Sequence, residues 1–201
     1  MKIIKNEKLL SKGEFSESEE LKSIESEMIA AIATVTWPIG NDKFEINPIL
    51  KGNGVTPIKN NCMTHLSNQY GWTCEHRMLI TGETRPGPID AVKKLSDGRY
   101  YAVEWETGNI SSSHRGLNKI AVGILKGILA GGTLILPSRR LYKYLTDRVG
   151  NFGEIEPYFL VWRSLDIKDG FISVIEIEHD AENSDIATIK KGSDGWARFQ
   201  K

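Results

Sequence analysis

The chain has 201 residues, enough for one domain with a substantial core. Basic and acidic residues balance at 26 each, which excludes a uniformly basic nucleic-acid coat and makes the distribution of charge more telling than its sum. No apolar run approaches the ~20 residues of a membrane span, and Met1 to Lys5 lacks the apolar stretch of a secretory signal, so a cytoplasmic chain with Cys62 and Cys74 reduced is expected.

Ser16-Glu17-Ser18-Glu19 fits a capping box, and Leu21, Ile24, Met28 and Ile32 at helical spacing predict a helix to about Thr34. Trp37-Pro38 ends it. Residues 38–57, rich in Gly, Asn and Pro, read as loop around a short strand at Phe44 to Ile46. Pro57 opens a second helix through His65. Ile89 to Leu95 and Tyr100 to Glu106 read as a hairpin. His114 to Ala130 reads as a helix stopped by Gly131-Gly132, followed by a short strand from Thr133 to Leu136. Ser138 caps a helix to about Val149. Tyr158 to Trp162 and Phe171 to Glu178 are aromatic and β-branched enough for strands. The order predicts an α/β fold with a central mixed sheet flanked by helices, in one domain over 1–201 that ends in a polar, basic tail from 190.

Charge is unevenly placed. Glu14, Glu17, Glu19, Glu20, Glu25 and Glu27 load the N-terminal segment with acid. From Asn109 to Arg148 the charged residues are Arg115, Lys119, Lys126, Arg139, Arg140, Lys143 and Arg148, opposed by Asp147 alone. A solvated helix face would account for such a tract, but beside a metal site it suits a polyanionic substrate.

Immediately before that tract lies a cluster of acids. Glu104 and Glu106 are two apart on a predicted strand, so both carboxylates share a face. Asp90 closes Gly87-Pro88-Ile89-Asp90 on the preceding strand. Whether it joins them depends on the turn. A two-residue loop, Asp97-Gly98, sets Asp90 opposite Trp105, on the wrong face. A three-residue loop, Ser96-Asp97-Gly98, sets it opposite Glu104 and puts Gly98 in the left-handed position. We expect the latter, with Asp90 and Glu104 as ligands of a hard divalent cation such as Mg²⁺.

At Glu104-Trp105-Glu106-Thr107-Gly108-Asn109-Ile110-Ser111-Ser112 the chain resembles the BamHI family of type II restriction endonucleases. Ordered matches continue through Asn53-Gly54-Val55, Pro57-Ile58-Lys59, Gly87-Pro88-Ile89-Asp90, Tyr144-Leu145-Thr146-Asp147-Arg148 and Lys191-Gly192-Ser193-Asp194-Gly195. The resemblance implies a restriction-endonuclease-like core and a homodimer that uses Mg²⁺. It also implies cleavage of double-stranded DNA at GGATCC after the first G. The wider superfamily carries Pro-Asp…(Asp/Glu)-x-Lys. Here Glu106 stands where the Lys is normal, a departure the BamHI family shares.

The resemblance also implies roles. Asp90, Glu104 and, through Tyr70-x-Trp72-x-x-Glu75, Glu75 become metal ligands. Glu106 either orients and deprotonates the attacking water or stays protonated beside its neighbours. Asn109, Ser111 and Arg115 become readers of the inner base pairs, and Asp147 and Arg148 of the outer G·C pair, where Arg suits guanine and Asp suits cytosine. Lys59 faces a phosphate, and Gly192, Asp194 and Gly195 lie in a tail along the DNA. The stripe Ile120, Ile124, Ile128 is either core or part of a helical dimer interface. Cys62, His65, Cys74 and His76 have unsuitable spacing for structural zinc, so none is expected. Two other readings remain: a DNA-binding protein without catalysis, and a carboxylate-pair glycosidase, against which the basic tract counts.

Overall fold

The computed structural model describes residues 1–78, 87–106, 108–147 and 149–192. Its elements in chain order are β1 (Lys2–Lys12), α1 (Glu19–Ala33), β2 (Glu45–Ile46), α2 (Thr56–Tyr70), β3 (Thr73–His76), β4 (Ile89–Lys94) and β5 (Tyr100–Trp105). Then follow α3 (Ile110–Leu125), β6 (Leu129–Pro137), α4 (Arg139–Tyr142), α5 (Phe152–Ile155), α6 (Phe159–Arg163), β7 (Gly170–Glu178) and β8 (Ala181–Glu182). Six strands form one mixed sheet in the order β1-β7-β6-β5-β4-β3, with β5, β6 and β7 mutually parallel and the outer pairs antiparallel.

The alternation of side chains along β5 divides the core in two. Tyr101, Val103 and Trp105 join α1 and α2 through Leu21, Ile24, Met28, Cys62 and Leu66. Ala102 faces the other way and packs with Leu117 and Ile120 of α3 and with Phe159 and Trp162 of α6. The expected α/β layering, a mixed sheet with helices on both faces, is thus present. The stripe Ile120 and Ile124 is core, at 0 % and 6 % exposure.

Several elements differ from the sequence reading. Helix α1 is capped by Ser18, whose hydroxyl accepts from Leu21 N–H, and not by Ser16, which lies in a short 3-10 turn. Helix α3 starts at the Asn109 cap and ends before Lys126, because Gly127 turns the chain at φ 69°. Gly131 and Gly132 therefore do not stop a helix; they lie within β6. A Cβ on Gly132 would come within 2.9 Å of the Ala102 carbonyl and of Ile120, so glycine lets α3 and β5 close on β6. Ser138 does cap a helix, but a single turn long. Residues 159–163 are helical rather than strand. Strands β1 and β3 were not anticipated at all; β1 is a lysine-rich sheet edge, where charge discourages further pairing.

The hairpin obeys the three-residue register. Ala91 pairs with Val103, Val92 with Ala102 and Lys94 with Tyr100. Gly98 N–H donates to Leu95 O (3.1 Å), Leu95 N–H to Arg99 O (2.9 Å), and Gly98 has φ 90°. A Cβ there would meet nothing within 4 Å, so its cost is conformational. Gly98→Ala is expected to destabilise the fold by about 1–2 kcal/mol, read from urea unfolding. A neutral result would mean the turn does not rely on that conformation.

Candidate active site and nucleic-acid interface

The register places Asp90 and Glu104 side by side on the α3 face. Both are largely buried, at 9 % and 8 % exposure. Asp90 Oδ2 accepts the Trp105 N–H (2.8 Å), a bond from β4 to β5 that fixes the carboxylate against the next strand. The two acids open onto a cleft of about 330 Å³, lined also by Lys59, Pro88, Glu106, Gly108, Ser112, Arg115, Gly116 and Lys119. Glu106 thus joins the cleft, and its Oε1 accepts the Gly108 N–H at the junction of β5 and α3.

Two lysines answer the acids. Lys59 from α2 contacts Asp90 Oδ1 at 2.5 Å and Glu75 Oε1 at 3.4 Å. Burial disfavours its charge, but the two carboxylates outweigh burial and raise its pKa. Lys119 from α3 contacts Glu104 Oε1 and donates to Pro88 O (3.1 Å). Burial still pushes Glu104 up to about 7, against the pull of Lys119 and with Asp90 adding to the rise. Lys119 Nζ and Glu104 Oε1 thus form a close ion pair in the wall of the cleft.

A pair of buried carboxylates that open onto one cleft is a hard-oxygen donor set and fits a cation of the Mg²⁺ type. Among the described residues no three acids, histidines or cysteines gather into a ready-made cation cluster. Glu75 is the reason the set falls short: it is exposed, sits at φ 51° and reaches Asp90 only through Lys59.

Chain direction brings the expected DNA-facing residues to the same end. Parallel strands present their carboxyl ends, and the loops after them, to one side of a sheet. Asn109 caps α3 by accepting from Ser112 N–H (3.2 Å), while Arg115 donates to Ser112 Oγ (3.0 Å). Asn109, Ser111 and Arg115 are all exposed. Gly150 N–H donates to Gly108 O (2.7 Å), so the loop that carries Asp147 packs against the start of α3. Arg148, Asp194 and Gly195 lie outside the described residues; Gly192 is exposed. His114 packs on Tyr158 and Trp162, with ring centroids 4.7 and 5.7 Å away, and is structural.

Sequence reasoning missed three residues. Lys119 stands in the basic tract that the sequence assigns to a polyanionic substrate, with no role of its own beside the acids. Its spacing from Ser112, Arg115 and Gly116 on one helical stripe was the available signal. Lys51 pairs with Asp147 at 2.5 Å. Asn53, fully buried, donates to Asn47 O and Tyr144 O and accepts from Ile189 N–H (2.9, 3.0 and 3.0 Å). Its own carbonyl accepts the Thr146 N–H (2.6 Å), next to Asp147.

The chain is similar to known restriction endonucleases over nearly its whole length. The family described as Restriction endonuclease BamHI matches residues 1–196. The type II restriction enzyme OkrAI of Oceanobacter kriegii is 53 % identical over 197 residues, covering 98 % of this chain and 99 % of the relative. The type II restriction enzyme BamHI of Bacillus amyloliquefaciens is 38 % identical over 181 residues, covering 86 % and 82 %. A crystal structure of restriction endonuclease BglII complexed with a DNA 16-mer has the same fold, with a TM-score of 0.63 at 9 % identity over 95 % of this chain and 90 % of that one.

Removing the Asn53 side-chain amide takes the partner from Asn47 O and Ile189 N–H and one of two from Tyr144 O, which keeps the Asn53 backbone N–H. Asn53→Ala is expected to cost about 1–3 kcal/mol or more in thermal or urea unfolding. A loss below a few tenths would show that water replaces the amide.

Proposed function

The chain belongs to the BamHI family of type II restriction endonucleases, and from that premise we propose that it cuts GGATCC in double-stranded DNA after the first G, with Mg²⁺, as a homodimer. The observation that carries the reading is the cleft in which Asp90 and Glu104 stand together at the start of α3. The products are 5′ overhangs with 5′-phosphates.

Asp90 and Glu104 would hold the cation, with Glu75 reaching it once Lys59 turns toward a DNA phosphate. The bound ion supplies Lewis-acid polarisation of the phosphate and a more acidic water. Glu106, on the same face, accepts a hydrogen bond from the attacking water and orients it in line with the scissile bond. Arg115, Asn109 and Ser111 read base edges from the N-terminal turns of α3, and Asp147 with Arg148 reads the outer G·C pair. Gly192, Asp194 and Gly195 follow the DNA as a tail. A helix that carries readers and begins where the acidic strand ends ties base recognition to the position of the phosphate.

A palindrome calls for a two-fold protein. The exposed apolar side chains Leu125, Tyr158, Leu160 and Val161, at the end of α3 and along α6, supply a surface for pairing, and Leu160 is 74 % exposed. No described helix is long and apolar enough to cross a membrane.

Plasmid carrying one GGATCC site is expected to be linearised with Mg²⁺ and left intact with EDTA, with ends mapping after the first G. Cleavage at another sequence, or none with metal, defeats the reading. Asp90→Asn and Glu104→Gln should each slow single-turnover cleavage by about 10²–10³-fold or more while metal-free duplex binding persists. That binding should weaken steeply as salt rises.

A further inference from the structure

We propose that Lys119 is the positioning cation of the cleavage site, supplied by α3 in place of the motif lysine missing from β5. The inference rests on the endonuclease reading and deepens it. Lys119 is 6 % exposed, whereas Arg115 on the same helix and Lys126 at its C-cap are exposed. A fold does not bury an ammonium group without partners, because desolvation is costly. Lys119 has two partners, one on β5 and one just before β4. It contacts Glu104 on β5 and donates to the carbonyl of Pro88, two residues before Asp90 on β4.

One side chain therefore spans the two strand ends that carry the acids. It fixes the direction of the Glu104 carboxylate and holds the approach to Asp90. Position 106 cannot do this. It is a glutamate, and its Oε1 is engaged with Gly108 N–H. Lys59 differs in kind: its side chain is 20 % exposed against 7 % for Lys119, and it bridges to the exposed Glu75, so it is free to exchange partners. Lys119 shares its helical stripe with Ser112, Arg115 and Gly116, which line the same cleft. Any shift of α3 on reading a base edge is transmitted by this ammonium to Glu104.

The test compares wild type, Lys119→Met and Lys119→Arg. Metal-free binding of a GGATCC duplex should be the same in all three. At saturating enzyme and Mg²⁺, Lys119→Met should slow single-turnover cleavage by about 100-fold, the penalty of a misplaced reacting geometry. Lys119→Arg, charged but with a longer planar head, should fall between them. Crystal structures should show the Glu104 carboxylate turned from the cleft in Lys119→Met. A purely structural lysine predicts a lower melting temperature with an unchanged rate for folded protein, and that result overturns the proposal. If Lys119→Met does not fold, Lys119→Arg decides: a reduced rate with intact duplex binding supports the proposal, and a wild-type rate overturns it. If wild type itself fails to cut GGATCC, the endonuclease reading is what fails. The orientation of Glu104 in the variant crystals still decides the role of Lys119.

Discussion

The turn at Ser96-Asp97-Gly98 decides whether this chain has a site at all. Side chains alternate along a strand, so a register slip of one residue carries every side chain to the opposite face. With the observed pairing, Asp90 and Glu104 face α3 while Ala91 and Val103 face α1 and α2. With the alternative pairing, Asp90 would share a face with Trp105 and enter the apolar layer. The Asp90 to Trp105 N–H bond reinforces the same choice from the far end of the hairpin. Register is thus held at both ends, by a left-handed glycine and by the functional carboxylate itself.

Bringing the acids together creates an electrostatic debt, which the neighbouring helices settle. Burial pushes Glu104 up to about 7, and Asp90 raises it further. Lys119 from α3 opposes this rise, while Lys59 from α2 pairs with Asp90. Their different exposure separates their tasks. Lys59 is the more exposed of the two, and on the function proposed above it would leave for a phosphate and open the acid to a cation. Lys119 has little solvent to replace its partners, at 6 % exposure in the wall of the cleft. On that reading the cleft would contain one exchangeable positive charge and one permanent one.

Much of this was legible in local pattern, and what was not has a physical cause. The hairpin was readable because turn length fixes register by counting. The Ser138 cap and β7 were readable because their signals are local. The segment Phe159 to Arg163 misled because aromatic and β-branched residues suit a strand, yet Glu156-Pro157 starts a 3-10 turn that winds on into helix. Gly131-Gly132 misled because glycine stops helices, while here it answers close approach between layers, which no local window contains. Lys119 misled in the same way. Composition counts it with Arg115 and Lys126, and only the packing of α3 on β5 tells it apart.

The parts that would read bases rely on equally non-local support. Asn53 is fully buried and sits in a loop, a position that burial alone would penalise unless every polar atom is used. It ties residues 47, 144, 146 and 189, so the segment before Asp147 and the root of the tail meet at one amide. Two residues earlier, Lys51 adopts φ 55° and pairs with Asp147. Three residues after Asn53, α2 begins, and it delivers Lys59 to Asp90. The stretch from 51 to 59 therefore connects the loop that would recognise an outer base pair to the acids that would cut the backbone. Such a link is rigid where Asn53 is buried and exchangeable at both lysines. On the proposed function, that combination would let a correct base pair and a correctly placed phosphate compete for the same short length of chain.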